Sequence, residues 1–271
     1  MKSENYYVSN ENYSKEYIRS TWDIAMGLQA VDNLKTSDYL QELATKNIEG
    51  ILTNEEIEDL LYVQYENETN QSRKARTKEA DMLSNRIAAL LKNKNFSFSI
   101  VTFKHIHSLL FEGIYDFAGT YRKYNISKKE PILGGRSVVY GDWLMIEDIL
   151  RYDFDEEKDR NYSQMTREKI IKNIVRFTSN IWQVHPFGEG NTRTTAVFIE
   201  RYLNSMGFQI DNTQFKKYSK YFRNALVRAN YMNISEGIEG TSVYLERFFE
   251  NLLYGGGHVL QNRDLILSEV I

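Results

Sequence analysis

The stretch "HPFGEGNTRT", His185 to Thr194, puts a histidine, a lone acid, two glycines, an asparagine and an arginine into ten residues. An imidazole, with an ordinary pKa near 6.5, takes a hydroxyl proton at neutral pH. Helical periodicity before it (Thr166 to Val184) and after it (Thr194 to Met206) makes Gly188 to Thr192 a tight loop feeding a helix N-terminus. Free backbone N–H groups and the helix dipole make such a place an anion site. Gly190 lets the backbone approach closely, and Arg193 can fork two hydrogen bonds onto a phosphate. Arg193 sits where the dipole disfavours a cation, so an anion should compensate it; a bound polyphosphate would. Glu189 is a hard oxygen ligand of the kind that holds Mg²⁺ together with substrate phosphates. Base, metal ligand, anion nest and arginine are the parts of a phosphoryl-type transfer.

The elements around this loop are helical: only two prolines occur in 271 residues. Apolar spacing predicts helices over Ser14–Leu34, Tyr39–Ile48, Asn54–Tyr65, Ala75–Leu91, Ile100–Tyr115, from Ile146, Phe215–Met232 and Ser242–Leu253. Thr53 with Glu56 fits a capping box. Residues Glu66 to Arg73 read as a polar linker, and Asp153 to Arg160 as a solvated charged loop. Pro131 and the Gly134-Gly135 pair, flanked by extended-type residues, predict one β-hairpin between Arg122 and Val139. The expected architecture is all-α: an N-terminal helical module over 1–68, a core domain over 75–254 and a tail over 255–271.

Composition bounds the partners. Net charge is −3, with 34 basic and 37 acidic residues closely mixed, so no general pull toward nucleic acid or acidic membranes is expected. The absence of cysteine excludes disulfides and thiol metal sites. The opening MKSENYYVSN lacks the apolar run of a signal peptide, and no apolar stretch approaches membrane-spanning length. A soluble, cytoplasmic protein is expected. His105 and His107, two apart on a helix, face different sides and read as packing or hydrogen-bonded histidines.

The loop resembles the signature of Fic (filamentation-induced-by-cAMP) proteins, H-P-F-x-[DE]-G-N-G-R-x-x-R. The resemblance extends upstream through "IHSLLFEGIYDFAGTYRKYNISK", Ile106 to Lys128. It implies a Fic helical bundle with a flap hairpin, and a transferase that moves AMP from ATP to a Ser, Thr or Tyr hydroxyl of a protein, itself included. His185 would deprotonate the hydroxyl, Phe187 anchor the loop and Glu189 hold Mg²⁺. Asn191 and the Gly190 amide would stabilise the α-phosphate, and Arg193 would grip the β-phosphate. Gly188, Gly190, Asn191, Thr192, Arg193 and Asn230 would form the ATP site, Asn230 as an adenine contact. Ile132, Leu133, Val138 and Val139 would belong to the target-docking flap, exposed as an open edge.

Two positions depart from the pattern. Thr192 replaces a glycine, and Ala196 stands where the second arginine belongs. That arginine also pairs with an inhibitory glutamate in self-inhibited relatives. Thr45 with Glu49 and Ser235 with Glu239 both fit the inhibitory pattern, and "LQAVDN" would be a degraded copy with Asp32 as its acid. With Ala196 in place, none of these acids is expected to find a partner cation, because Arg193 is committed to phosphate. Two alternatives stay open: transfer of another nucleotide or phosphate on the same fold, or a non-catalytic nucleotide- or peptide-binding module. A separate antitoxin and a homodimer are open alternatives as well.

Overall fold

The computed structural model describes residues 13–66 and 71–267. The opening MKSENYYVSN and the middle of the predicted linker lie outside them. Ten α-helices run through the described residues. Helix α1 (Lys15–Gly27) starts at Ser14, whose hydroxyl accepts from the Tyr17 amide, and continues into a 3-10 turn, Leu28–Asp32. Asn33 then closes that turn in the left-handed region, φ 55°. Helices α2 (Asp38–Ile48) and α3 (Asn54–Glu66) follow. The capping box is present: Thr53 Oγ1 accepts from the Glu56 amide, and the Glu56 carboxylate accepts from the Thr53 amide at 2.8 Å.

Helix α4 (Gln71–Lys92) is the spine against which the N-terminal helices pack. Its buried Asp81 accepts from the Ser37 amide that precedes α2 and from the Tyr65 hydroxyl at the end of α3. Gly27 is what lets α1 lie directly on helix α9 (Thr213–Asn230). A Cβ there would stand 2.5 Å from Lys216 Cα, and Ser219 donates its hydroxyl to the Gly27 carbonyl. Trp22, Leu28, Leu40 and Ile57 thereby join the same buried cluster as Phe198 and Phe222. The N-terminal helices and the rest of the bundle share one core.

Helix α5 (Ile100–Phe111), α6 (Ile146–Lys158), α7 (Arg167–Val184), α8 (Asn191–Ser205) and α10 (Val243–Tyr254) complete the bundle around a cluster of phenylalanines. Phe103, Phe154, Phe177 and Phe198 meet edge-on and tilted, their ring centroids 5.3 to 6.4 Å apart. The charged run Asp153–Arg160 is largely the end of α6, not a solvated loop. Asp153, Phe154 and Glu157 share its inner face, where Asn180 and the hydroxyls of Tyr162 and Tyr202 hold the two acids.

The expected hairpin survives only as a chain reversal; no strand forms among the described residues apart from an isolated bridge, Asn233–Ile238. Pro131 opens a 3-10 turn, and Gly134 and Gly135 both take positive φ, 63° and 85°. These curl the chain before a ladder can grow, and Glu130 closes the turn: its amide donates to the Arg136 carbonyl at 2.9 Å and its carbonyl accepts from the Gly135 amide at 3.0 Å. Nor is the segment an open edge: Ile132, Leu133 and Val138 are buried, and only Val139 stands out in solvent. No helix among the described residues is long and apolar enough to cross a membrane.

Candidate active site

Thr166 caps α7 by accepting the Lys169 amide, and the helix runs to Val184, where His185 ends it in the left-handed region, φ 49° and ψ 57°. That conformation is disfavoured for a side chain other than glycine. It is braced by Arg122, whose amide donates to the Pro186 carbonyl at 2.8 Å and whose Nε donates to the His185 carbonyl at 2.7 Å. Its remaining nitrogens donate to the carbonyls of Val184, Tyr124 and Gly141. Arg122 went unnoticed at the level of sequence, where nothing distinguishes it from the neighbouring Lys123.

The imidazole of His185 is buried against the rings of Tyr140 and Trp182. Its Nδ1 lies 3.2 Å from the Trp182 carbonyl, which can only accept; Nδ1 therefore carries the hydrogen and Nε2 the lone pair. Burial lowers its pKa to about 3, and the cations of Lys128, Arg122 and Arg223 push the same way. The ring is neutral at physiological pH, as a general base must be.

The loop is held by its own side chains. Phe187 is fully buried and stacks on the His107 ring, centroids 3.7 Å apart. Asn191 folds back, accepting from the Phe187 amide and donating to the Phe187 carbonyl, both at 2.9 Å. His107 Nδ1 accepts from the Gly119 amide and Nε2 donates to the Glu189 carbonyl at 3.0 Å, so the histidine read as a hydrogen-bonded one is a brace of this loop. Burial holds its pKa down to about 4, which keeps Nδ1 an acceptor. Gly190 turns with φ 79°, and a Cβ on it would meet Phe111 Cζ at 2.2 Å. Thr192 fits because its hydroxyl accepts from Trp182 Nε1 at 2.9 Å.

Arg193 overturns one expectation. It is 1% exposed, over the Phe111 ring, and its Nη2 meets Glu79 at 2.7 Å and Asp32 at 3.0 Å. Nη1 reaches Gln29 at 3.3 Å. The compensating anion demanded by a cation in the first turn of α8 is supplied by the protein. Burial opposes the charge, but Asp32 and Glu79 more than offset it and raise the guanidinium pKa. Asp32 is thus the acid of the three candidates that pairs with the arginine of the loop, and it does so without a second arginine. Arg76 donates to the Asp32 carbonyl and Lys220 to Asn33 Oδ1, so three cations gather on this turn.

Glu189 remains half exposed, with Lys128 3.7 Å from its carboxylate. It lines a cavity of about 430 Å³ together with Asp32, Glu79, Lys128, Arg193 and Arg223. Asn230 does not line it; its amide donates to Ser179 and to the Leu226 carbonyl. Thr45 and Glu49 are exposed at the end of α2, Glu49 paired with Lys15, and Ser235 and Glu239 are exposed in the turn after α9. No contact among the described residues joins these four to the loop.

Residues 97–203 match the model of the Fic/DOC family. A protein adenylyltransferase of Bartonella henselae is 26% identical over 117 residues, 40% of this chain and 21% of that protein. A Sinorhizobium fredii protein named "Probable protein adenylyltransferase" is 25% identical over 133 residues, 47% of this chain and 62% of its own. The chain thus spans less than two thirds of either relative. Among solved structures, the N-terminal Fic domain of a VirB-translocated Bep effector from Bartonella quintana superposes with a TM-score of 0.52 at 19% identity, covering 68% of this chain and 84% of that one. The Fic domain of Bep8 from Bartonella sp. 1-1C does so with 0.53 at 18% identity, covering 75% and 91%. Loop, bundle and family match agree over residues 97–203, the stretch of this chain that is similar to Fic/DOC proteins.

Proposed function

We propose that the protein transfers AMP from ATP to a hydroxyl of a protein side chain, its own included. The observation that carries this reading is the His185 ring, neutral and with Nε2 left as an acceptor, at the start of a loop that ends in the N-terminus of α8. His185 Nε2 takes the proton of the attacking hydroxyl, the oxygen bonds to the α-phosphorus, and the bond to the β-phosphate oxygen breaks, releasing pyrophosphate. The first amides of α8 face the charge that develops on the phosphoryl oxygens. Asn191 acts by holding the loop to Phe187, so that these amides keep their place.

A single half-exposed carboxylate beside a cavity suits Mg²⁺, which binds one or two protein oxygens and completes its shell with phosphates and water. Glu189 would hold it, and the ion when bound would neutralise charge on the polyphosphate. Arg193 serves the phosphates only after Asp32 withdraws. Asp32 can do so, since its side chain is 26% exposed at the end of a short 3-10 turn. The described state is therefore closed at the arginine and complete at the histidine.

The test is incubation of the purified chain with ATP labelled at the α- or the γ-phosphate. Label retained from the α-position alone supports AMP transfer. Retention from the γ-position means phosphoryl transfer, and tight binding with no retained label means a binding module; either result ends this reading.

A further inference from the structure

The residue that holds His185 in place is as informative as the histidine. We infer that Arg122 is a positioning residue for the reaction, one side chain that locks the His185 turn and fastens both stems of the reversing segment to it. The inference rests on His185 being the base.

Helix α7 ends with carbonyls that have no partner within the helix, and a turn follows that no side chain favours. Arg122 answers both needs: it supplies hydrogen bonds to three consecutive carbonyls, those of Val184, His185 and Pro186. Its other bonds run to the carbonyls of Tyr124 and Gly141, which lie at the two ends of the reversing segment. Gly141 closes the same junction with an amide bond to the Gln183 carbonyl at 3.2 Å. A Cβ on Gly141 would press on Val184 at 3.3 Å, so the segment lies against the backbone of α7.

The cation is 4% exposed, and among the described residues no carboxylate lies within salt-bridge distance of it. Its charge is met by carbonyl dipoles at the C-terminal end of α7, where a positive group is favoured. A lysine keeps that charge but cannot replace a planar fork bonding in several directions at once. Loss of the fork frees the His185 backbone from its left-handed conformation and with it the Nδ1 bond to the Trp182 carbonyl. That bond is what reserves Nε2 for the proton.

The experiment is Arg122→Lys in the full chain, read two ways. Imidazole ¹⁵N spectra of the wild type should show His185 as a single tautomer with the hydrogen on Nδ1. In the variant the signals should average between the two tautomers, while those of His107, braced by other residues, stay unchanged. In the transfer assay kcat should fall at least tenfold with KM for ATP within threefold. Retained His185 signals, or a full kcat, would overturn the inference. A variant that loses the His107 signature too has simply unfolded; Arg122→Gln, which keeps a planar donor, then decides, its partial restoration of the Nδ1–H form supporting the clamp and its absence overturning it. His185→Ala separates the two readings. If that variant still turns over, the base assignment fails, whereas the tautomer readout on Arg122 stands or falls alone.

Discussion

His185 and Arg193 sit at the two ends of one short loop, both buried, yet their surroundings are opposite in sign. Around His185, burial and the cations Lys128, Arg122 and Arg223 hold the ring neutral. Around Arg193 two carboxylates hold the guanidinium charged. The supports also come from different places. Arg122, Tyr140 and Trp182 all fall within the matched stretch 97–203, whereas Asp32 and Glu79 lie upstream of it. The histidine end is thus built within the matched stretch, and the arginine end is held by helices upstream of it. Readiness and restraint are encoded in separate parts of the chain.

Several changes would break or sharpen that contrast. The largest effect is expected from His185→Ala, about a thousandfold loss of transfer with ATP binding within a few-fold; near-normal turnover in a labelled-ATP assay would remove the base. Gly190→Ala acts on the turn between the two ends. It combines positive φ with a 2.2 Å clash against Phe111, and a loss of about 3 kcal/mol in denaturant unfolding is expected. An unaltered midpoint would mean that Phe111 yields.

Acid should trouble the histidine end. His185 and His107 have folded pKa values of about 3 and about 4, below the unfolded value near 6.5. The unfolded chain therefore binds more protons as pH falls from 6.5 toward 4. Stability is full above 6.5 and should fall by about 1.4 kcal/mol per pH unit for each ring below it. Melting curves of His107→Gln should show a shallower acid slope; an identical slope would exclude the ring as its source.

Asp32→Ala should raise ATP affinity and self-modification about tenfold, roughly 1.4 kcal/mol, because the phosphate then competes with one internal carboxylate, Glu79, instead of two. No change would mean that Arg193 does not meet the nucleotide. The smallest effects belong to Glu49→Gly and Glu239→Gly, a few-fold at most, since both acids are exposed and away from the loop. A large activation by Glu49→Gly would transfer the restraint from Asp32 to α2.

Much of the histidine loop and of the helices was legible because the information is local. The motif, the helices on either side and the Thr53–Glu56 box depend on residues a few positions apart, and those readings match the described helices within a few residues. Even the need for an anion at Arg193 followed from its place in the first turn of α8. Its identity did not, because Glu79 and Asp32 lie 114 and 161 positions away and meet it only through the packing of α1 and α4. The reversing segment misled for a different reason: Pro131 and paired glycines suit a hairpin and a 3-10 turn equally, and the choice fell to the burial of Ile132, Leu133 and Val138. In the run Asp153–Arg160 the charges hid a helical face whose acids are held by Asn180 and by tyrosine hydroxyls.

The contact at Gly27 bears on how such a protein can change over generations. Helix α1 leads directly into the turn that carries Asp32, and it lies flush on α9 only because residue 27 has no side chain. One methyl group there would press the two backbones apart and displace the turn that carries Asp32. The Asp32–Arg193 pair is therefore open to inheritance through a position that touches neither partner: a lineage could loosen or tighten it by single substitutions along the α1–α9 seam, leaving the surroundings of His185 intact.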